Sequence, residues 1–261
     1  MTLEIAADLR KRLRQRQTVY GSWLSIGHPE LAALFAAGET DFLGIDLEHT
    51  ATDLPACQAI IRTCHEFRKA CLPRIFAGDI QRLCRLLDMG ADGIILPQVS
   101  SRADVETVNQ VMRYPPAGKR GFGVAAAHQY GRIFDSYVKS ANEALVLMVQ
   151  VENTRGVDAI EEIVSHPSVD GVMVGPYDLS GSLGVPGVLD HPKVLEASRR
   201  VISVCRQKKV SCGLHLVYPD LEQIRRNLEL GFSFLILGSD IFNLCRRGLE
   251  VDKMIQSSRR P

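Results

Sequence analysis

The sequence predicts an α/β fold built as a closed (β/α)8 barrel of the TIM type, and three observations predict it. Eight short stretches rich in apolar and β-branched residues recur along the chain, each followed by a segment with apolar residues at three- and four-residue spacing. That alternation is the pattern of a parallel sheet with crossover helices. Several stretches, such as Leu145-Val146-Leu147-Met148-Val149, are apolar at every position, as a strand covered on both faces must be. Finally, the chain has 261 residues, and barrels of this kind use about 250 residues as one domain.

The elements follow in order. Leu3, Ile5, Ala6, Leu9 and Leu13 stand at helical spacing and suggest a short N-terminal helix capping the barrel, with Arg10 to Arg16 as a solvated basic face. Strands are expected at 19–25, 42–48, 72–76, 93–99, 145–152, 171–178, 211–217 and 234–240. Helices are expected at 29–37, 54–68, 80–89, 103–112, 154–165, 191–207, 220–230 and 241–255. The connection 113–143 is longer than the rest and contains Tyr114-Pro115-Pro116 and Arg120-Gly121-Phe122-Gly123, which suits either a glycine-lined binding loop or a plain surface excursion. No composition shift marks a linker, so 1–261 reads as a single domain. Periodicity does not distinguish closure from an open doubly wound sheet, which stays the structural alternative.

Composition narrows the function. Lys plus Arg is 31 and Asp plus Glu is 30, so the surface carries no excess of cations to neutralise a nucleic-acid backbone. The longest apolar run, 31–37, falls far short of the roughly 20 residues needed to span a bilayer, and Glu4 and Asp8 interrupt any apolar export signal. The 7 cysteines include no Cys-x-x-Cys pair, which argues against a disulfide framework or zinc ribbon and fits a cytoplasmic protein. Cys57, Cys64 and Cys71 read as small buried hydrophobes. Phosphate-loop, zinc-helix and nucleophile-elbow motifs are absent, and no lysine falls within an expected strand, which leaves a Schiff-base mechanism without its amine.

In such barrels chemistry sits at the carboxyl ends of the strands, so the polar residues that end the apolar runs are the candidates. Asp46-Leu47-Glu48-His49, Pro73-Arg74, Gln150-Val151-Glu152 and Gly175-Pro176-Tyr177-Asp178 all fall there. Glu152 and Asp178, on adjacent strands, offer hard oxygen ligands to a divalent cation such as magnesium or manganese. Each taken singly can instead cap the helix that follows. Arg74 within an apolar strand requires a carboxylate, either from a substrate or from an internal ion pair. His49 follows an acidic strand end, and its imidazole suits proton transfer near neutrality; a structural histidine bonded to Glu48 or a backbone carbonyl is the other reading. Gly213-Leu214-His215 offers a further polar group.

These motifs, with Leu87-Asp88-Met89-Gly90-Ala91, resemble the metal-dependent (class II) 2-oxo-acid aldolases of the HpcH/HpaI type in order and spacing over about 19–244. The resemblance implies a (β/α)8 barrel whose last helix is often exchanged between subunits, and a homohexamer arranged as a trimer of dimers. It further implies Glu152 and Asp178 as ligands of Mg2+, Mn2+ or Co2+, Arg74 and Gln150 as contacts to the 2-oxo acid, and His49 as acid/base. Asp88 matches the aspartate that supports this histidine, and Gly175, Pro176 and Tyr177 match part of the pocket wall. The implied reaction cleaves a 2-oxo-4-hydroxy acid to pyruvate and an aldehyde through a pyruvate enolate. Tyr177, where a small residue is usual, and Val124, where serine is frequent, depart from the family pattern on the aldehyde side. Condensation of oxaloacetate with acetyl-CoA, or decarboxylation of oxaloacetate, uses the same enolate site and is the enzymatic alternative. A barrel that only binds a 2-oxo acid is the non-enzymatic one.

Overall fold

The computed structural model describes residues 2–76 and 78–259. Eight parallel strands, β1 (Val19–Leu24), β2 (Phe42–Asp46), β3 (Ala70–Arg74), β4 (Gly93–Leu96), β5 (Val146–Val151), β6 (Gly171–Val174), β7 (Ser211–Leu216) and β8 (Phe234–Ser239), pair in sequence order and close β8 onto β1. Closure removes the sheet edges and settles the open-sheet alternative. The helices are α1 (Thr2–Arg14), α2 (Pro29–Ala36), α3 (Leu54–Glu66), α4 (Ile80–Met89), α5 (Arg102–Met112), α6 (Phe134–Ala144), α7 (Thr154–Asp158), α8 (Ile160–Val164), α9 (Pro176–Ser182), α10 (Pro192–Gln207), α11 (Leu221–Leu230) and α12 (Asp240–Ser258). Among the described residues no helix is long and apolar enough to cross a membrane.

Several boundaries differ from the sequence reading, each for a local reason. The strand expected over 171–178 stops at Val174, because Pro176 lacks the N–H a strand ladder needs and has the φ of a first helical turn. Asp178 therefore rides on α9. The helix expected over 154–165 divides at Ala159 into α7 and α8. The connection 113–143 is not an unstructured loop: it holds a 3-10 turn (Ala126–Gly131) and α6, whose Tyr137, Ala141 and Ala144 are buried. Polar neighbours mask that spacing in the sequence.

The core has two layers, as strands buried on both faces require. Inside the barrel lie Trp23, Phe42, Leu72, Ile95, Val146, Met148, Met173, Phe234 and Ile236, and Leu9 and Leu13 of α1 join them from below. Between strands and helices lie Leu43, Ile45, Leu86, Leu147, Val149, Val172 and Leu235, together with Cys57, Cys64 and Cys71, which pack as expected. Gly44 faces the Trp23 indole, and a β-carbon there would overlap the ring.

The basic segment does not form a solvated face. Arg10 and Arg14 both donate to Asp170, at 2.9 and 2.7 Å, and Asp170 also accepts the N–H of Leu147 at 3.0 Å. Arg12 pairs with Asp41 at 2.6 Å, and Arg16 donates to the carbonyls of Val210 and Gly231, just before β7 and β8. Helix α1 is thus clamped over the amino ends of the strands, opposite the rim where the candidate residues gather. Asp170→Ala would strand the buried Arg10 guanidinium, and a loss of about 3–5 kcal/mol of unfolding free energy is expected. Urea denaturation checks this; an unchanged midpoint would refute the clamp.

Candidate active site

Strands β2 and β3 are in register so that Asp46 stands beside Arg74. Arg74 is held by a two-point contact, Nε to Asp46 Oδ1 at 3.1 Å and Nη2 to Asp46 Oδ2 at 2.8 Å, with Glu48 Oε2 at 3.3 Å from Nε. The guanidinium lies over the Trp23 ring, 4.9 Å from its centre. Its third nitrogen, Nη1, has Gln150 Oε1 at 3.5 Å as its contact. The partner Arg74 requires is therefore internal, and Nη1 retains donor capacity toward the barrel axis. Asp46 also accepts the N–H groups of Glu48 and His49 at 3.0 and 3.3 Å, so one carboxylate orients both the arginine and the turn bearing the next two polar residues.

Glu152 follows the end of β5. Its Oε1 accepts the Gln98 N–H at 2.7 Å and its Oε2 accepts the Gln150 amide. The Gln98 side chain reaches across to Glu48 Oε1 at 3.2 Å, and Gln98 has φ +56°, a strained conformation for a residue other than glycine. At Gly175 a β-carbon would sit 2.8 Å from the Glu152 carboxylate, so glycine makes room for that side chain. Glu48, Glu152 and Asp178 line one open cleft of about 410 Å³ with His49, Gln98, Asn153, Thr154, Arg155 and Ser182.

The electrostatics of this cleft favour a cation. Burial pushes the Glu152 carboxyl up to about 7; the Gln98 N–H pulls the other way, and the charges of Asp178 and Glu48 add to the rise. Burial likewise raises Glu48, against the pull of Arg74 and His49. Neither Glu152 nor Asp178 has an ion-pair partner among the described residues. Helix capping does not account for them either: Asn153 caps α7, and Gly175, with no side chain, precedes α9. Hard oxygen donors facing one another without a countercharge fit a divalent ion. Among the described residues no group of three His, Cys, Asp or Glu side chains is close enough to hold a metal ion by itself.

His49 projects into solvent at this rim, its side chain 66% exposed, with Nε2 at 3.7 Å from Glu48 Oε2. Exposure leaves it free to meet a substrate. Asp88 is not brought to it. Helix α4 runs antiparallel to the strands, and Asp88, in its last turn, accepts no hydrogen bond from His49 but accepts one from Arg120 Nη2 at 2.7 Å. Arg120 is itself buried over the Tyr114 ring. Within one chain Asp88 therefore anchors the long connection rather than supporting the histidine. Tyr177 is exposed on α9 and does not line the cleft; Pro176 only starts the helix.

Sequence reasoning missed Trp23 and Gln98 and left His215 without a role. Trp23 packs beside His215, ring centres 5.5 Å apart, and His215 Nε2–H donates to the Gly238 carbonyl at 3.0 Å. Burial lowers the pKa of His215, which favours the neutral ring. A signal for Trp23 existed, since it is the one tryptophan and lies in a strand. None existed for Gln98, whose role is carried largely by its backbone N–H.

Residues 19–246 match the family model described as HpcH/HpaI aldolase/citrate lyase. The chain is 34% identical over 239 residues to a hydroxypyruvate/pyruvate aldolase of Pseudomonas aeruginosa, covering 91% of this chain and 88% of that protein. It is 33% identical over 242 residues to a 2-keto-3-deoxy-L-rhamnonate aldolase of Shigella boydii, covering 92% and 90%. The crystal structure of an HpcH/HpaI aldolase/citrate lyase family protein from Burkholderia cenocepacia superposes with TM-score 0.89 at 31% identity, covering 96% of this chain and 99% of that one.

Asp46→Ala would release both Arg74 and the Glu48–His49 turn. Because Glu48 keeps partial hold of the guanidinium, the expected loss of stability is about 1–3 kcal/mol. Thermal denaturation beside the wild type measures it, and a variant as stable as the parent would show the pair to be dispensable.

Proposed function

The chain belongs to the HpcH/HpaI aldolase/citrate lyase family and is an aldolase, a carbon–carbon lyase; on that premise we propose that the cleft cleaves a 2-oxo-4-hydroxy acid to pyruvate and an aldehyde, with a divalent cation held by Glu152 and Asp178. The observation that carries the proposal is that Glu152 and Asp178, neither with an ion-pair partner among the described residues, line one cleft with Glu48 and His49. A cation held there would supply Lewis acidity to the bound 2-oxo acid.

The chain's own groups do the rest. Arg74, locked by Asp46, keeps Nη1 turned toward Gln150 and offsets negative charge that develops on the substrate's keto oxygen. Gln150 keeps one face of that position polar while its amide is engaged by Glu152. His49 takes the proton from the 4-hydroxyl, the C3–C4 bond breaks as the aldehyde carbonyl forms, and the bonding pair remains on the pyruvate fragment as its enolate. Return of the proton to C3 yields the methyl group of pyruvate. Trp23 and the neutral His215 close the barrel side of the site with rigid, uncharged surface.

Exchange of the pyruvate methyl protons in heavy water, followed by NMR, tests this reading. Exchange is expected to stop on complete removal of divalent metal and to fall at least about a hundredfold in Glu152→Ala. His49→Ala is expected to keep metal binding and lose carbon–carbon cleavage by about a hundredfold or more, the range for a missing general acid/base. Exchange that survives chelation, or unimpaired cleavage in His49→Ala, would refute the assignment. Presenting oxaloacetate with acetyl-CoA in parallel separates the citrate-forming alternative.

We further propose that the chain works as a homo-oligomer joined through α12. Asp240 is the buried residue of this helix, and Ile241, Phe242, Leu244, Leu249, Val251, Met254 and Ile255 are exposed along it. That apolar surface suits the barrel wall of a second copy, where the eighth helix of an ordinary barrel would pack. Deleting residues 241–261 is expected to convert the oligomer to monomer in light scattering, whereas an unchanged multi-subunit mass would place the interface elsewhere.

A further inference from the structure

The helix that clamps the amino ends of the strands carries more positive charge than the clamp uses. Arg10 donates through Nε to Asp170 and through Nη1 to the Asn142 carbonyl at 3.0 Å. Arg14 donates through Nε to Asp170 and through Nη2 to the Pro167 carbonyl at 2.7 Å. Arg10 Nη2 and Arg14 Nη1 are left without a partner among the described residues. Both side chains line an open cleft of about 310 Å³ with Ala7, Lys11, Gln15 and Glu143. Lys11 is exposed and has no hydrogen bond or ion pair from its side chain among the described residues. Beside them stands Arg113, 2% exposed, whose Nη1 donates to the same Asn142 carbonyl at 2.9 Å and whose buried Nη2 has no partner among the described residues. Burial and the neighbouring charge of Arg10 pull the Arg113 guanidinium down to about 10.

Two carboxylates answer these four cations. Asp170 is buried and fully engaged, Oδ1 by Arg10 and Arg14 and Oδ2 by the Leu147 N–H. Glu143 is 89% exposed and 3.9 Å from Arg10 Nη1, a screened contact of little strength. Glu4 and Asp8, the acidic residues of α1, line a different cleft with Arg12 and Asp41. Positive charge, part of it buried, therefore stands unmatched at a cleft with unused N–H donors. We propose that Arg10, Lys11 and Arg14 form a binding site for a phosphate-type dianion, either inorganic phosphate or the charged end of a phosphate ester, at the end of the barrel opposite the carboxylate cleft. The planar guanidinium groups supply fixed donors, Lys11 a mobile charge and Gln15 an amide. Glu143 turns to solvent as the anion enters. Asn142 lies just before β5 and Asp170 holds Leu147 within it, so the bound anion braces the entry to that strand and acts on stability, whatever the chemistry at the other rim.

Thermal unfolding of the metal-loaded protein tests this, with sodium phosphate and glycerol 3-phosphate each set against sodium chloride at equal ionic strength. The midpoint is expected to rise by about 2–5 °C at ten times the dissociation constant and then to climb only slowly, as binding to the folded state requires. The ligand with the tighter constant identifies its source as free anion or ester. Lys11→Glu is expected to weaken that constant about tenfold or more, and Glu143→Gln to tighten it about twofold to fivefold. Both side chains are exposed, so the midpoints in chloride are expected to stay close to that of the parent and to separate loss of the site from loss of the fold. Phosphate bound beside Arg74, at the far rim, would respond to neither substitution. Equal midpoints in phosphate and chloride, a rise that grows in proportion to salt as general exclusion from the surface does, or a constant that neither variant moves would overturn the proposal.

Discussion

Three carboxylates facing one small cleft repel each other, and the mouth of this barrel is arranged around holding them there. Glu152 is fixed at both oxygens, by the Gln98 N–H and the Gln150 amide, so it cannot relieve the repulsion by turning away. Gly175 leaves it the space to stay. Asp178 is carried up by a proline-initiated helix that projects nothing else charged into the cleft. Arg74 offsets only Glu48, so holding Glu152 and Asp178 there without an ion-pair partner among the described residues costs stability, and the arrangement persists because the surrounding fold determines it strongly.

That surrounding strength lies at the other end of the barrel. Helix α1 closes the amino ends of the strands with Leu9 and Leu13 in the interior and with Arg10, Arg12 and Arg14 bound to Asp170 and Asp41, and Arg16, just after the helix, binds the carbonyls of Val210 and Gly231. The division is physical: the end sealed by paired charges and packed side chains supplies rigidity, and the open end holds side chains whose charges are left unbalanced. Between them runs the inner layer of apolar side chains, on which Trp23 provides the floor of the site.

Arginine serves two purposes on this scaffold, decided by context rather than residue type. Arg74 is nearly buried and satisfied by two acidic neighbours, so it acts as a fixed positive surface with one outward donor. Arg120 is buried over Tyr114 and pinned to Asp88, where it orders the long connection between α5 and α6. Surface exposure alone would not have distinguished either from the arginines of α1.

Much of this was legible in the amino-acid order because it depends on local patterns. Continuous apolar runs alternating with helical spacing specified the strands and helices, and the polar residues that end those runs specified the rim, since a strand end is a local event in sequence. His49, Arg74, Gln150, Glu152 and Asp178 were found that way. What the tertiary structure decided is pairing across distance. Arg74 required a carboxylate, but only the parallel register of β2 and β3 chose Asp46. The basic segment after Leu9 looked like a solvated face until Asp170, some 160 residues on, came to meet it. Asp88 fell on the far end of α4 because a crossover helix runs back against its strands. Closure of the barrel and the strained backbone of Gln98 both arise from contacts between segments remote in the chain, and no periodicity along a single segment encodes those.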